Sequence, residues 1–410
     1  MPERAYIGFV VLANRTEYGI CAVLTLAPSS DPRLPKSQPD GTLGSPNSPQ
    51  KIVMKTKHIL ISGLALATPF LLSMDPRGDS VTFAPAEGSS ISKTFTLTHG
   101  FELDDMAMLM NGNDMGMEME MNVQSSQTIT VADTYSKMDG ATPTMLTRTY
   151  SDGAMELITE SAVSAMGTDQ NNDATGEGGS HLNDLTVIFS WDEEKEEYNK
   201  AFGEESEGEA EWLTDLHEDM DLRGFLPVGE VSVDDEWIAD SNVLIPTFAP
   251  GGNLQWDVIM DGEESAGGPD AEMMSNLGGM LEDAIEGEVK CKYVGKKEMD
   301  GVEYLTIEIT INIDTVTDMI EAVQAGMAEQ DIPEGVEIEV SRMDMELHME
   351  GKGTLMWNAK AGVVHSFSYA GESAMVMDMD MDINAMGNEM ENSMHMEMSG
   401  EMSLEITTSK

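Results

Sequence analysis

Apolar and polar residues alternate along most of the chain beyond residue 90. Because successive side chains of a β-strand point to opposite faces, this period of two predicts half-buried antiparallel strands. The turn signals Asn111-Gly112, Asp139-Gly140 and Met299-Asp300-Gly301 are typical of hairpins and lie between or beside them. The predicted strands are 94–103, 115–123, 128–135, 144–150, 185–191, 288–294, 302–313, 336–349, 353–358, 363–370, 374–384 and 393–408.

Two segments before residue 230 have a helical pattern instead. Residues 192–202 are densely charged, and residues 209–222 repeat apolar side chains at helical spacing up to Gly224. Helices are therefore predicted near 192–222.

The second half of the chain contains two further helical patterns. Near 271–286, methionine, leucine and isoleucine side chains share one helical face, and a helix near 314–330 would begin at the capping residue Asp314. The polar run 167–184 is rich in glycine, asparagine and aspartate and predicts a loop.

These elements predict an α+β, mainly β fold with two lobes of antiparallel curved sheet and a few packed helices. The N-terminal lobe is predicted to span 74–270, with helices near 192–222. The C-terminal lobe is predicted to span 271–410, with helices near 271–286 and 314–330. Its order of hairpin, helix and meander allows a helix on a concave sheet, an architecture similar to that of bacterial periplasmic carriers of lipoproteins and hydrophobic ligands.

An apolar run at 59–72 follows Met54, Lys55 and Lys57. This order is typical of a secretory signal peptide, and the run is too short for a comfortable membrane span. We predict a signal peptide over 54–73, with a buried strand or helix as the alternative, and hence an exported protein, periplasmic or extracellular. Residues 1–53 are then a non-native or disordered extension upstream of a start at Met54.

Charge and cysteine content narrow the function classes. The chain has 75 acidic and 22 basic residues and a formal net charge of −53, which disfavours nucleic acids and anionic membranes as partners. Cys21 lies upstream of Met54, so Cys291 is the single cysteine of the predicted mature chain. A single cysteine forms no disulfide framework, and we expect Cys291 to be a small buried apolar residue. No nucleophile, phosphate-loop or zinc motif occurs, so we expect no catalytic site. We also expect no transmembrane span in the mature chain.

Methionine is the most informative residue type, with 36 copies in the chain. Between residues 375 and 402 it occupies nearly every second position, with carboxylates in between. Three interpretations remain open: an ordinary core face, a thioether site for Cu(I), or an adaptable surface for an apolar ligand. The copper interpretation requires sulfurs from facing strands to meet, because alternate residues of one strand are about 7 Å apart. Its candidate ligands are Met394, His395, Met396 and Met398, with His348 and His365 on neighbouring strands.

A second candidate metal site lies in the polar run 167–184. Alternate oxygen-bearing side chains there match the spacing of a calcium loop, but Ala174 stands where such loops have glycine and Ser180 where they have glutamate. A polar loop without calcium is the alternative. The candidate calcium ligands are Asp169, Asn171, Asp173, Thr175 and Glu177.

Three motifs resemble those of uncharacterised, secreted, β-rich bacterial proteins of unknown function. They are D-T-Y…T-R-T-Y at 133–150, LRGFLP…W at 222–237 and L-x-W at 355–357. The resemblance implies an exported β-rich fold and supplies no catalytic or binding residues.

Together these observations predict a non-catalytic, exported, acidic β-rich protein with a binding or envelope-structural role, which holds an apolar ligand on a methionine-lined sheet. The expected partner is an apolar small molecule or an envelope component, with no nucleic acid and no resident cofactor. The alternatives are a methionine-rich Cu(I)-binding envelope protein and an enzyme of unknown class, and calcium is a further candidate ligand.

Overall fold

The computed structural model describes residues 78–165, 168–261, 286–320, 324, 336–385 and 388–409. The predicted extension 1–53, the signal peptide 54–73 and nearly all of the predicted helix 271–286 lie outside these residues.

Antiparallel strands make up most of the described chain, and several of them exceed twenty residues. At about 3.4 Å per residue, a strand of 22 residues is about 75 Å long. The strands are β1 Asp79–Ser80, β2 Ser89–Met110, β3 Asn113–Asp114, β4 Glu118–Asp139, β5 Thr142–Ala165, β6 Thr168–Ser180, β7 Thr186–Asp192, β8 Glu197–Phe202, β9 Glu230–Val231, β10 Glu236–Ala239, β11 Trp256–Asp261, β12 Gly287–Met299, β13 Val302–Asp318, β14 Val336–Asn358, β15 Val363–Ala385 and β16 Asn388–Ser409. The helices whose bounds lie within the described residues are short: α1 Leu244–Phe248 and the 3₁₀ turns Ala210–Leu213, Arg223–Phe225 and Ser241–Val243.

Fourteen of these strands form one antiparallel sheet. Its main order is β10-β12-β13-β14-β15-β16-β2-β4-β5-β6-β11, with β3 beside β2, β7 beside β5, and β8 beside β7; β1 and β9 pair separately. A mainly β protein with antiparallel sheets and few helices is therefore confirmed. The division into lobes is confirmed only in part, because strands of both predicted lobes form one sheet: β2 pairs with β16, and β10 of the predicted N-terminal lobe pairs with β12 of the C-terminal one.

The hydrophobic core covers one half of the long strands. Apolar side chains of β13, β14 and β15 lie there, including the fully buried Ile307 and Trp357. The connection between β8 and β11 packs over them, with Phe225 stacked on Phe367 at 5.9 Å and Phe248 against Tyr369 at 5.2 Å between ring centroids. Each such buried side chain contributes about 1.5–3 kcal/mol relative to an exposed one.

Cys291 on β12 belongs to the same core. Its side chain is fully buried, as the sequence predicts for a small apolar residue. Burial raises the pKa of the thiol to about 12.

The predicted helices near 192–222 are wrong. Residues 197–202 form β8, which pairs with β7 around a turn in which Asp192 Oδ1 accepts hydrogen bonds from the backbone N–H groups of Glu194 and Lys195. Tyr198 on β8 packs edge-to-face on Trp191 at 5.0 Å, so tertiary packing overrides the helical propensity of the charged residues. Only Ala210–Leu213 is helical in the second segment, as a single 3₁₀ turn.

Two further expectations need correction. The segment predicted to begin a helix at Asp314 continues β13 as far as Asp318, whose side chain accepts a hydrogen bond from the Ile320 N–H. Of the rest of 314–330, the structure describes only Met319, Ile320 and Gln324, and the last two are helical, so the predicted helix begins later than Asp314. The predicted loop 167–184 is mostly strand β6, because it pairs with β5 on one side and β11 on the other.

Within the described residues, no helix has the length and apolar content needed to cross a membrane.

Candidate functional site: a methionine face on the central strands

Eight methionines lie in register on four adjacent strands, β14, β15, β16 and β2. One rung crosses these strands as Met345, Met377, Met396 and Met106. The neighbouring rung consists of Met343, Met379, Met394 and Met108. We call the surface formed by these eight side chains the methionine face.

The methionine face is partly covered. Met345 is buried, with 4% of its surface exposed, whereas the other seven side chains are half-buried. Facing residues of an antiparallel pair have Cβ atoms about 4.5–5.5 Å apart, and methionine is unbranched, flexible and polarizable. The face is therefore an adaptable apolar surface on which thioethers of neighbouring strands can meet.

The methionine face continues the core face of the same strands. On β15, the buried Phe367 and Tyr369 are followed at every second position by Gly371, Ser373 and then the methionines. A third rung, between the core and the two methionine rungs, contains Leu347, Met375, Met398 and Leu103. This side of the strands is thus mainly apolar, with aromatic and aliphatic residues at one end and methionine at the other.

Three buried polar atoms lie where the core meets the methionine face. The hydroxyl oxygens of Tyr369 and Ser373 and the Nε2 atom of His99 are enclosed and have no hydrogen-bond partner among the described residues. Tyr369 and Ser373 are only 2% and 5% exposed. The Tyr369 hydroxyl extends over Gly351 and Gly371, where any Cβ atom would overlap it.

His99 is uncharged in this environment. Burial lowers its pKa to about 4, so the imidazole is neutral near pH 7. Its neighbours across the sheet are Met402 on β16 and Ser125 on β4. The junction between core and methionine face therefore presents hydrogen-bonding groups without a net charge.

The reverse side of the same strands is ionic. His395 Nδ1 lies 2.7 Å from Asp378 Oδ1, and its Nε2 lies 3.2 Å from Glu397 Oε1. Arg342 donates to Asp344 at 2.6 Å and to Asp378 at 3.0 Å. The hydrogen bond with Asp378 raises the pKa of His395, and the same bond lowers the pKa of Asp378.

The predicted copper ligands are divided between these two sides. Met394, Met396 and Met398 lie on the apolar side, with Met398 nearer the core and only 8% exposed. His395 lies on the ionic side, and His365 stacks on Tyr304 at 4.1 Å between ring centroids. The structure instead adds thioethers from β2, β14 and β15, which the sequence alone could not assign to the same rungs.

The predicted calcium ligands are spread along one strand. Asn171, Asp173, Thr175 and Glu177 are exposed at alternate positions of β6, and Asp169 belongs to the same strand. Alternate residues of a strand are about 7 Å apart, so the strand does not wrap around an ion as a calcium loop does. Among the described residues, no group of three or more His, Cys, Asp or Glu side chains is placed to hold a metal ion.

A buried ionic cluster lies in the core half of the long strands, away from the methionine face. The sequence alone did not predict it. Lys93 Nζ lies 2.8 Å from Asp133 Oδ2 and 2.5 Å from Asp221 Oδ1, and all three side chains are fully buried. Tyr135 donates its hydroxyl hydrogen to Asp221, at 2.7 Å from Oδ1. Arg148 completes the cluster by binding Asp133.

The ionic cluster accounts for one of the three sequence motifs and adjoins a second. Asp133 and Tyr135 come from the D-T-Y segment and Arg148 from the T-R-T-Y segment, while Asp221 directly precedes LRGFLP. Two buried cations face two buried carboxylates, and the pKa of Asp133 is lowered to about 2 by Arg148 and Lys93 against the opposing effect of burial. The cluster has no exposed member, which indicates a structural role.

No protein-family model matches this chain, and no curated protein matches it.

Proposed function

We propose that this protein is a non-catalytic, exported, acidic β-rich binding protein that holds an apolar ligand on the methionine face. The observation that carries the proposal is the pair of in-register rungs, in which eight methionines on four strands form one continuous, half-buried apolar surface. Contiguous apolar surfaces of this kind are typical of ligand or partner sites, and flexible methionine suits ligands of varied shape.

The junction with the core indicates the type of ligand. The apolar part would lie along the methionine face, and a polar atom of the ligand would accept hydrogen bonds from the hydroxyl groups of Tyr369 and Ser373. Because unpaired buried polar atoms cost about 1–3 kcal/mol each, such a ligand would relieve an existing cost. A neutral His99 and a chain with a net charge of −53 both favour an uncharged head, such as an ester or hydroxyl group, over an anionic one.

Export is the second part of the proposal. It is supported by the signal-peptide pattern at 54–73 and by the single cysteine after it. An apolar small molecule or an envelope component would be encountered in a periplasmic or extracellular location.

The experiment is native mass spectrometry of the protein purified from an envelope or secreted fraction, followed by lipid extraction. We expect a co-purifying neutral amphiphile and, after its removal, binding of a fluorescent uncharged acyl probe. Replacing Met106, Met377 and Met396 with glutamine should weaken binding of the probe by at least tenfold, because a polar amide of similar length replaces the thioether.

The paired control is the same set of positions changed to leucine. Leucine keeps the volume and the apolar character, so we expect probe binding within about twofold of the wild type. Circular dichroism verifies that both variants are folded. A folded wild-type protein that neither carries nor binds an uncharged amphiphile would contradict the proposal.

A further inference from the structure

We propose that the methionine face also contains a Cu(I) site made of thioethers alone, with Met377, Met379, Met394 and Met396 as its ligands. We call these four residues the methionine quartet. The site does not depend on the apolar ligand. It differs from the sequence-predicted set because it omits His395 and Met398 and takes two ligands from each of two facing strands.

The register of β15 and β16 creates the quartet. Met377 faces Met396, and Met379 faces Met394. The four Cα atoms form a rectangle, with about 4.8 Å between the two strands and about 7 Å between alternate residues of one strand. Its centre therefore lies about 4 Å, in projection on the sheet, from each Cα atom. Flexible, unbranched side chains can turn toward that centre, so sulfurs from the two facing strands can meet around one cation. The methionines of a single strand are too far apart to do so.

The choice of residue within each strand also indicates more than apolarity. In the core half, the apolar side of β13 uses Ile307, Ile309 and Ile311, and the apolar side of β16 uses Leu404 and Ile406. β-branched and aromatic residues suit strands best. From Met375 to Met381 on β15 and from Met394 to Met398 on β16, every residue on this side is methionine, so the thioether itself is the feature that distinguishes this stretch.

The donor set determines the metal class. Thioethers are soft, neutral ligands that favour Cu(I) over calcium, magnesium and zinc. All four quartet side chains are half-buried, so a small cation can reach them. The carboxylates of Asp378 and Asp380, on the reverse side of β15, and the overall charge of −53 raise the local concentration of cations.

The same two rungs extend the site on both sides, onto the neighbouring strands. Met343 and Met345 on β14 flank the quartet, as do Met106 and Met108 on β2. They provide equivalent facing pairs, so a cation bound at the quartet has further thioethers within one strand spacing on either side.

The test is an anaerobic titration of the full chain with Cu(I), with a chromophoric Cu(I) chelator as competitor, repeated with Ag(I) as a probe that does not oxidise. The quadruple change Met377→Leu, Met379→Leu, Met394→Leu and Met396→Leu should weaken Cu(I) binding by at least tenfold, because leucine preserves volume and removes only the sulfur. The matched control changes four half-buried methionines outside the methionine face to leucine, namely Met138, Met145, Met299 and Met356. The control should leave Cu(I) affinity within about twofold of the wild type.

Two further measurements distinguish a loss of metal binding from unfolding and from a loss of apolar-ligand binding. Circular dichroism checks each variant, and the double change Met377→Leu and Met396→Leu provides a milder version that should still weaken Cu(I) by severalfold. The uncharged acyl probe should bind the quadruple leucine variant as it binds the wild type, so loss of metal and loss of apolar ligand are distinguishable. Wild-type protein that does not compete for Cu(I), or a folded quadruple variant that competes equally well, would overturn the proposal.

Discussion

Arg148 binds Asp133 through two hydrogen bonds, from Nε to Oδ1 at 2.7 Å and from an Nη atom to Oδ2 at 2.9 Å, and neither side chain is exposed to solvent. Two further guanidinium N–H groups bind the backbone oxygens of His217 and Glu218 at 2.9 and 2.8 Å. Arg148 thus attaches the irregular connection after β8 to the sheet. A planar guanidinium suits this double role, which lysine could not fill.

Removing one charge from this cluster should be severely destabilising. We expect Lys93→Met to lower the free energy of unfolding by about 3–5 kcal/mol, because Asp133 and Asp221 would remain buried with one cation fewer. Urea denaturation measures the change. Lys195→Ala is the control, since this side chain is 58% exposed and its ion pairs are superficial; its effect should stay below about 1 kcal/mol. Equal effects of the two changes would contradict a structural role for the cluster.

His99 should make the protein less stable in mild acid. Its pKa is about 4 in the folded chain and about 6.5 when unfolded. Between these values the unfolded state binds more protons, so this contribution to stability is complete above pH 6.5 and falls as the pH approaches 4, by no more than about 3 kcal/mol.

Denaturation of the wild type and His99→Gln across this pH range tests the effect of His99. The carboxylates contribute equally to both proteins, so the difference isolates one imidazole. The variant should have the flatter pH profile. Two parallel profiles would show that His99 is not buried as a neutral group.

His395 should behave in the opposite way. Its hydrogen bond with Asp378 raises its pKa, so its contribution to stability is present below the unfolded pKa and is lost as the pH rises through the folded one. NMR titration should show His395 with a pKa above 6.5, and Asp378→Asn should lower it. A His395 pKa unaffected by Asp378→Asn would mean that the pair is not formed in solution.

Gly351 should not tolerate a side chain. A Cβ atom there would overlap the hydroxyl and ring of Tyr369, whereas nothing lies within 4 Å of a Cβ atom at Gly100. We expect Gly351→Ala to cost about 1–3 kcal/mol, in line with other overpacked sites. Thermal denaturation of Gly351→Ala and of the control Gly100→Ala measures the difference, and the control should be close to neutral. A neutral Gly351→Ala would indicate that Tyr369 does not lie over this position.

Local chemistry predicted most of the long strands and several of their turns. Asn111-Gly112 and Asp300-Gly301 occupy turns with positive φ, and Gly140, directly after Asp139 at the end of β4, has a positive φ as well. The placement of methionine and carboxylate on opposite sides of β15 and β16 also followed from alternation alone. The same alternation could not tell which strands are neighbours, so the rungs joining β14 and β2 to this hairpin required the structure.

The errors arose where long-range pairing outweighs local preference. Residues 168–180 contain little that favours a strand, but they lie between β5 and β11, and the small Ala174 and Gly176 face the sheet interior. The ionic cluster was missed for a related reason. Lys93, Asp133 and Asp221 are far apart in sequence. Taken singly, each is typical of a charged side chain at the solvent-exposed surface.

The pair β2–β16 has a consequence for how the chain folds. Asn111, just beyond β2, accepts a hydrogen bond from the Glu391 N–H, and these residues are 280 positions apart. Closing so long a loop is entropically costly and slows folding. Until residues 388–409 have emerged, β2 and β15 each have an unpaired edge that can pair with another chain. The chain would need protection from aggregation until β16 has inserted between them.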